Sequence, residues 1–134
     1  MANLTTVRED FRKDDEVLVY PVKAGVVIFK GATVGVDSSG YAKPAAPGDK
    51  RVVGIAYETR NNFAGTSGQL LVRAWRKGSF LFNTSGLTVA NIGDKVYVVD
   101  DNTVTTTATG SIVVGVITEF ISPTQVRVAL TANV

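Results

Sequence analysis

The chain has 134 residues, with no cysteine, no histidine, a single tryptophan and a formal net charge of +2. Without thiols or imidazoles, the usual zinc sites, iron–sulfur clusters, cysteine nucleophiles and histidine-based triads are excluded. The length fits one domain burying about 65–70% of its unfolded surface, and so small a net charge does not by itself argue for nucleic acid.

Residues 1–16 carry Arg8, Arg12 and Lys13 against five acids and show no strand periodicity, so they read as an N-terminal arm. They show no basic segment followed by an apolar stretch, as a targeting leader would, and no apolar run in the chain is long enough to span a membrane. The arm mixes apolar anchors (Leu4, Val7, Phe11) with charges (Arg8, Arg12, Lys13), a composition suited to ordering on a partner. Residues 17–134 read as a single β domain. Valine (22), threonine (15) and isoleucine (6) supply about a third of the chain, and these β-branched types suit a pleated, half-buried surface.

Period-2 patterns predict strands near 17–22, 25–30, 33–37, 40–43, 51–60, 68–76, 79–83, 95–100, 103–106, 111–121 and 124–131. Turn signals such as Asp37-Ser38-Ser39-Gly40, Pro47-Gly48-Asp49 and Asp100-Asp101-Asn102 separate them. A short helix or 3₁₀ turn is expected after Leu87. The spacing suits an all-β sandwich, barrel or clip.

The chain also echoes itself. Gly31-Ala-Thr-Val34 matches Gly93-Asp-Lys-Val96 at an offset of 62, and Val52-Val53-Gly54-Ile55 matches Val113-Val114-Gly115-Val116 at an offset of 61. Gln69-Leu70-Leu71-Val72 reads as the partner of Gln125-Val126-Arg127-Val128, after a loop shorter by five residues in the second copy. The pseudo-repeat units are expected at about 25–76 and 87–131. Gly54 and Gly115 interrupt apolar runs, where glycine marks a bulge or a close backbone approach.

No residue set for catalysis, cofactor binding or metal binding emerges. Asp14-Asp15-Glu16 and Asp100-Asp101 read as solvated arm and turn acids, and neither has a calcium loop around it. Ser79, Ser85 and Ser111 have no histidine base and no Ser-x-x-Lys spacing. Gly31-x-x-x-Gly35 lacks the Gly-Lys-Ser/Thr that a phosphate loop needs. What stands out is an acid-free stretch from 59 to 93 holding Arg60, Arg73, Trp75, Arg76 and Lys77. Basic residues beside an aromatic on a strand can hold single-stranded nucleic acid or a glycan. The alternative is that Trp75 alternates with its cationic neighbours, turning inward while they face an acidic partner protein.

Taken together, Ala24-Gly25-Val26-Val27, Gly31-Ala32-Thr33-Val34-Gly35-Val36, Lys50-Arg51-Val52-Val53-Gly54-Ile55-Ala56, Gly93-Asp94-Lys95-Val96-Tyr97-Val98 and Ile112-Val113-Val114-Gly115-Val116 resemble the small capsid decoration (cement) proteins of tailed bacteriophages. The resemblance covers about residues 20–131. It implies a β-clip or β-tulip-like fold and an arm reaching over the capsid shell. It also implies an accessory virion protein, made in the host cytoplasm, that binds the major capsid protein on the outside of the expanded head. A homotrimer at or near the local threefold axes is implied too, with no catalytic residue to carry across; on the residues themselves nucleic acid is the less favoured partner, and no membrane partner is expected.

Overall fold

The structure is a computed structural model describing residues 2–9 and 15–131. It is all-β, as the composition predicts, and the described residues form no α-helix. The first half of the chain holds β1 (Val17–Pro21), β2 (Val27–Ile28), β3 (Thr33–Val36), β4 (Ala42–Pro44), β5 (Arg51–Ala56), β6 (Arg60–Asn61) and β7 (Leu71–Trp75). The second holds β8 (Ser79–Asn83), a 3₁₀ turn at Val89–Asn91, β9 (Lys95–Val98), β10 (Val104–Thr105), β11 (Val113–Ser122) and β12 (Gln125–Leu130). The 3₁₀ turn starts from a capping box, in which the Thr88 side chain accepts from Ala90 N and Asn91 Oδ1 accepts from Thr88 N. Two predicted strands come out differently. Residues 25–30 supply only β2, and residues 51–60 break at a bend after Ala56.

The strands form two five-stranded antiparallel sheets, β1-β7-β5-β3-β4 and β10-β9-β11-β12-β8, and a two-stranded ribbon of β2 with β6. Both larger sheets curl. A parallel bridge of Val22 with Ala42 brings the end of β1 to β4, making the first sheet a half-barrel, and Asn83 with Thr103 joins β8 to the mouth of β10 in the same way. Curling lets the outer strands cover one another's free hydrogen-bonding groups at one end. Pro21 and Pro44 close outer strands β1 and β4, where a missing N–H costs least.

The two sheets repeat the same strand order. An offset of 62 carries Val17 to Ser79, Thr33 to Lys95 and Ala42 to Val104, mapping β1, β3 and β4 onto β8, β9 and β10. An offset of 61 carries Gly54 to Gly115, each opposite the central valine of its neighbour, Val34 or Val96. Hydrogen bonds repeat as well. Gly31 N donates to Ala56 O as Gly93 N donates to Ile117 O, and Asp37 N donates to Tyr41 O as Val99 N donates to Thr103 O. β1 and β8 belong to this correspondence although the sequence echo began after them. The return strands correct the echo. Ile55 pairs with Trp75 and Val116 with Ala129, so Val72 corresponds to Val126 and Arg73 to Arg127. That offset is 54, two less than the echo suggested, so the first half carries seven extra residues before its return strand.

Two apolar clusters hold the sheets. Val22, Ile28, Val34, Val36, Val53 and Val72 fill the curl of the first sheet. Phe82, Val96, Val98, Val114, Ile117, Val126 and Val128 fill the second, and Ala45, Val52 and Ile55 join them from the first. β5 therefore serves both clusters. Val53 and Ala56 turn one way and Val52 and Ile55 the other, a switch the irregular register beside Gly54 permits.

Candidate functional site

Folding neutralises part of the basic stretch. Glu58, at the bend between β5 and β6, closes on it from the acidic end. Its Oε1 lies 2.9 Å from Arg73 Nη2 and 3.0 Å from Arg60 Nη2, and its Oε2 accepts from Arg73 N at 2.8 Å. Arg60 Nε also donates to Leu71 O. The Arg73 guanidinium sits 4.5 Å over the Tyr57 ring, and Tyr57 meets Trp75 with ring centroids 5.1 Å apart. Arg73 and Trp75 are two residues apart on β7 and share a face, so the expected alternation between them does not occur. Trp75 is half-buried against the second core cluster. Its rings and cations are engaged with one another, which leaves no open stacking platform of the kind single strands use.

Arg76 is drawn to the start of the chain. Its N donates to Glu16 O at 2.9 Å, and its Nη1 lies 3.8 Å from Asp15 Oδ2. Lys77 is exposed at the turn into β8. In the arm, Leu4 (70% exposed), Val7 (95%) and Arg8 all face solvent, and residues 2–9 form no strand. Phe11, Arg12 and Lys13 lie outside the described residues.

The Glu58–Arg73 pair has a counterpart that the sequence reading missed. Glu119 and Arg127 occupy the corresponding places in the second half and pair at 3.4 Å. The offsets 61 and 54 bring both partners into register, and this is the signal that would have found the pair.

Burial pushes the Glu58 carboxyl up, but the Arg73 side-chain and backbone hydrogen bonds and the Arg60 charge outweigh it and hold the group below its ordinary value. Asp37 is lowered chiefly by the Tyr41 N–H, with help from Lys23 and the Ser39 N–H. A carboxyl lowered by folding contributes stability above its unfolded pKa and loses it as pH falls through the folded one. Stability should therefore hold near neutrality and decline below about pH 4–5, where ordinary carboxylates begin to protonate. In urea titrations at pH 7, 5 and 3, Glu58→Gln should lose less on acidification than the parent. Parallel acid limbs would show that Glu58 is not part of the cause.

One further concavity pairs most of its own charges. A hollow of about 550 Å³ is lined by Lys23, Asp37, Lys43, Asp49 and Lys50 among others. Within it Lys23 pairs with Asp37 at 3.1 Å and Lys43 with Asp49 at 2.6 Å, while Asp49 Oδ2 also accepts from Ala46 N. Among the described residues no three His, Cys, Asp or Glu side chains cluster as a metal site.

The geometry defines a β module whose chemistry is spent on holding its own strands and turns. Consistent with that, the chain belongs to the phage cement protein family, whose sequence model, described as "Phage cement protein", matches residues 12–131. As a member it is a structural, non-enzymatic protein of the virion capsid that decorates the phage head. No curated protein and no solved structure matches the chain.

Proposed function

We propose that this protein binds the outer surface of the expanded phage head as a homotrimer, after synthesis in the host cytoplasm, and stabilises contacts between neighbouring major capsid protein subunits. The family match over residues 12–131 carries the reading. Paired surface charges and half-barrels with outer strands β1, β4, β8 and β10 are compatible with a β-clip or β-tulip-like module working through interfaces. A standard interface of about 800 Å² per partner, repeated around a ring, turns modest single contacts into strong avidity.

The N-terminal arm is part of this proposal, with Leu4, Val7, Arg8, Phe11, Arg12 and Lys13 as its capsid-facing residues. Arg60, Arg73, Trp75, Arg76 and Lys77 remain the candidate body interface, now with Arg60 and Arg73 sharing the single carboxylate of Glu58. The test is co-sedimentation with heads lacking the protein, together with light scattering of the free protein and thermal melting of decorated heads. Binding, a threefold mass and raised head melting are expected. A monomer without affinity for heads would overturn the reading. Deleting residues 1–9, which spares the Asp15 and Glu16 contacts to Arg76, should weaken binding without unfolding the body.

A further inference from the structure

The two halves match strand for strand except at one place. The first half alone carries the β2–β6 ribbon and the loop that follows it, where the seven extra residues fall. Residues 61–72 of this segment contain no ionisable side chain. Of the five described phenylalanines, Phe80, Phe82 and Phe120 pack into the core, and the other two stand out beside this ribbon. Phe63, just past β6, is 72% exposed, and Phe29, just past β2, is 62% exposed.

Phe63 is held on a built loop. Asn62, 2% exposed, donates through Nδ2 to Val22 O, Lys23 O and Thr66 O at 3.2, 3.1 and 2.9 Å. Asn62 N donates to Val26 O, Gly25 N to Asn62 O and Gly68 N to Val22 O, lacing the loop to the segment between β1 and β2. Asn61 Oδ1 accepts from Phe63 N, fixing the backbone that presents the ring. An exposed aromatic on a loop braced in this way loses little freedom on docking, which is the property of an interface anchor.

We propose that the ribbon and its loop form a second capsid-facing contact beside the arm, with Phe63 seated in an apolar, uncharged recess of the capsid protein. This rests on the head-binding reading above. The charge-free run selects the complement, because a charge opposite residues 61–72 would be desolvated with no partner there. The capsid is the occupant the observations favour. The family gives this chain a capsid as its partner, and among the described residues the ribbon and its loop are where the first half departs from the second.

The test compares Phe63→Ser, Phe29→Ser and Val89→Ser in co-sedimentation with heads lacking the protein. Val89 occupies the place in the second half that corresponds to Val27 of the ribbon and is 64% exposed, so it controls for loss of an exposed apolar side chain. Phe63→Ser should raise the half-saturating concentration about tenfold or more, as loss of one anchor does, with unchanged melting of the free protein. Phe29→Ser should have a smaller effect and Val89→Ser none. Wild-type affinity in Phe63→Ser would overturn the proposal while leaving head binding intact. A changed mass of free Phe63→Ser by light scattering, with normal head binding, would overturn it in favour of a second copy as occupant. A wild-type protein that fails to bind heads would remove the functional reading and this inference with it.

Discussion

Alanine at Gly115 is expected to lower stability by about 2–4 kcal/mol, and alanine at Gly54 by a similar amount, as overpacking against a backbone that cannot yield. A Cβ at Gly115 would be driven into Ala129 O, with Ala129 C at 2.8 Å and Val128 Cγ1 at 2.9 Å. At Gly54 it would be driven into Trp75 O, with Trp75 C at 3.0 Å and Ala74 Cβ at 3.3 Å. Trp75 corresponds to Ala129 and Ala74 to Val128, so both halves solve one packing problem in one way. The return strand crosses so close to the long strand that only a hydrogen fits. Because β7 and β12 are held by ladders on both sides, relief by moving them would break hydrogen bonds. Urea denaturation should show the midpoint falling by about 1–2 M at unchanged slope. Gly48→Ala is the control, since no atom lies within 4 Å of its Cβ position. A Gly115→Ala midpoint equal to that of Gly48→Ala would remove the close-approach account.

These glycines were legible in the sequence because a glycine inside Val-Val-Gly-Ile or Val-Val-Gly-Val runs against β propensity, and the same exception occurs twice. The return strands lie where the sequence places them, but their correspondence to each other is off by two residues, for a reason that follows from the pleat. Val126 and Val128 alternate with Arg127 and Ala129, and sliding such a strand by two residues keeps every side chain on its face. Hydrophobic pattern therefore cannot tell an offset of 56 from 54. Backbone pairing can, and so can the charges, since only 54 brings Arg127 beside Glu119 as Arg73 lies beside Glu58. The basic character of residues 59–77 misled for a related reason. Charge counted along the chain leaves Glu58 outside the window, while the bend after β5 folds it onto Arg60 and Arg73. The ribbon was hidden inside two longer predicted strands, because Val26 to Phe29 reads as one apolar run whether two or six of its neighbours pair.

Asn62→Ala is expected to cost about 2–3 kcal/mol, since it strips the donor from three carbonyls in a site too enclosed for solvent to replace it. Asn62→Asp should cost more, because a carboxylate would face the same three oxygens. The loop has no slack for a larger neighbour. A Cβ at Gly65 would already be driven into Asn62 Oδ1 and sit 3.0 Å from its Cγ. The loss should be local first. The five-stranded sheets keep their ladders, while the amides of Gly25 and Gly68, which bridge the loop to the preceding segment, should exchange faster with solvent. Head binding provides the second readout. With Phe63 still present but its loop released, affinity should fall because ordering the loop must then be done on docking. Fast exchange at Gly25 and Gly68 with undiminished affinity would mean that the ring binds without its brace. Slow exchange in Asn62→Ala would mean that the loop is held by its backbone bonds alone, and that the buried amide contributes only to the stability of the first half-barrel.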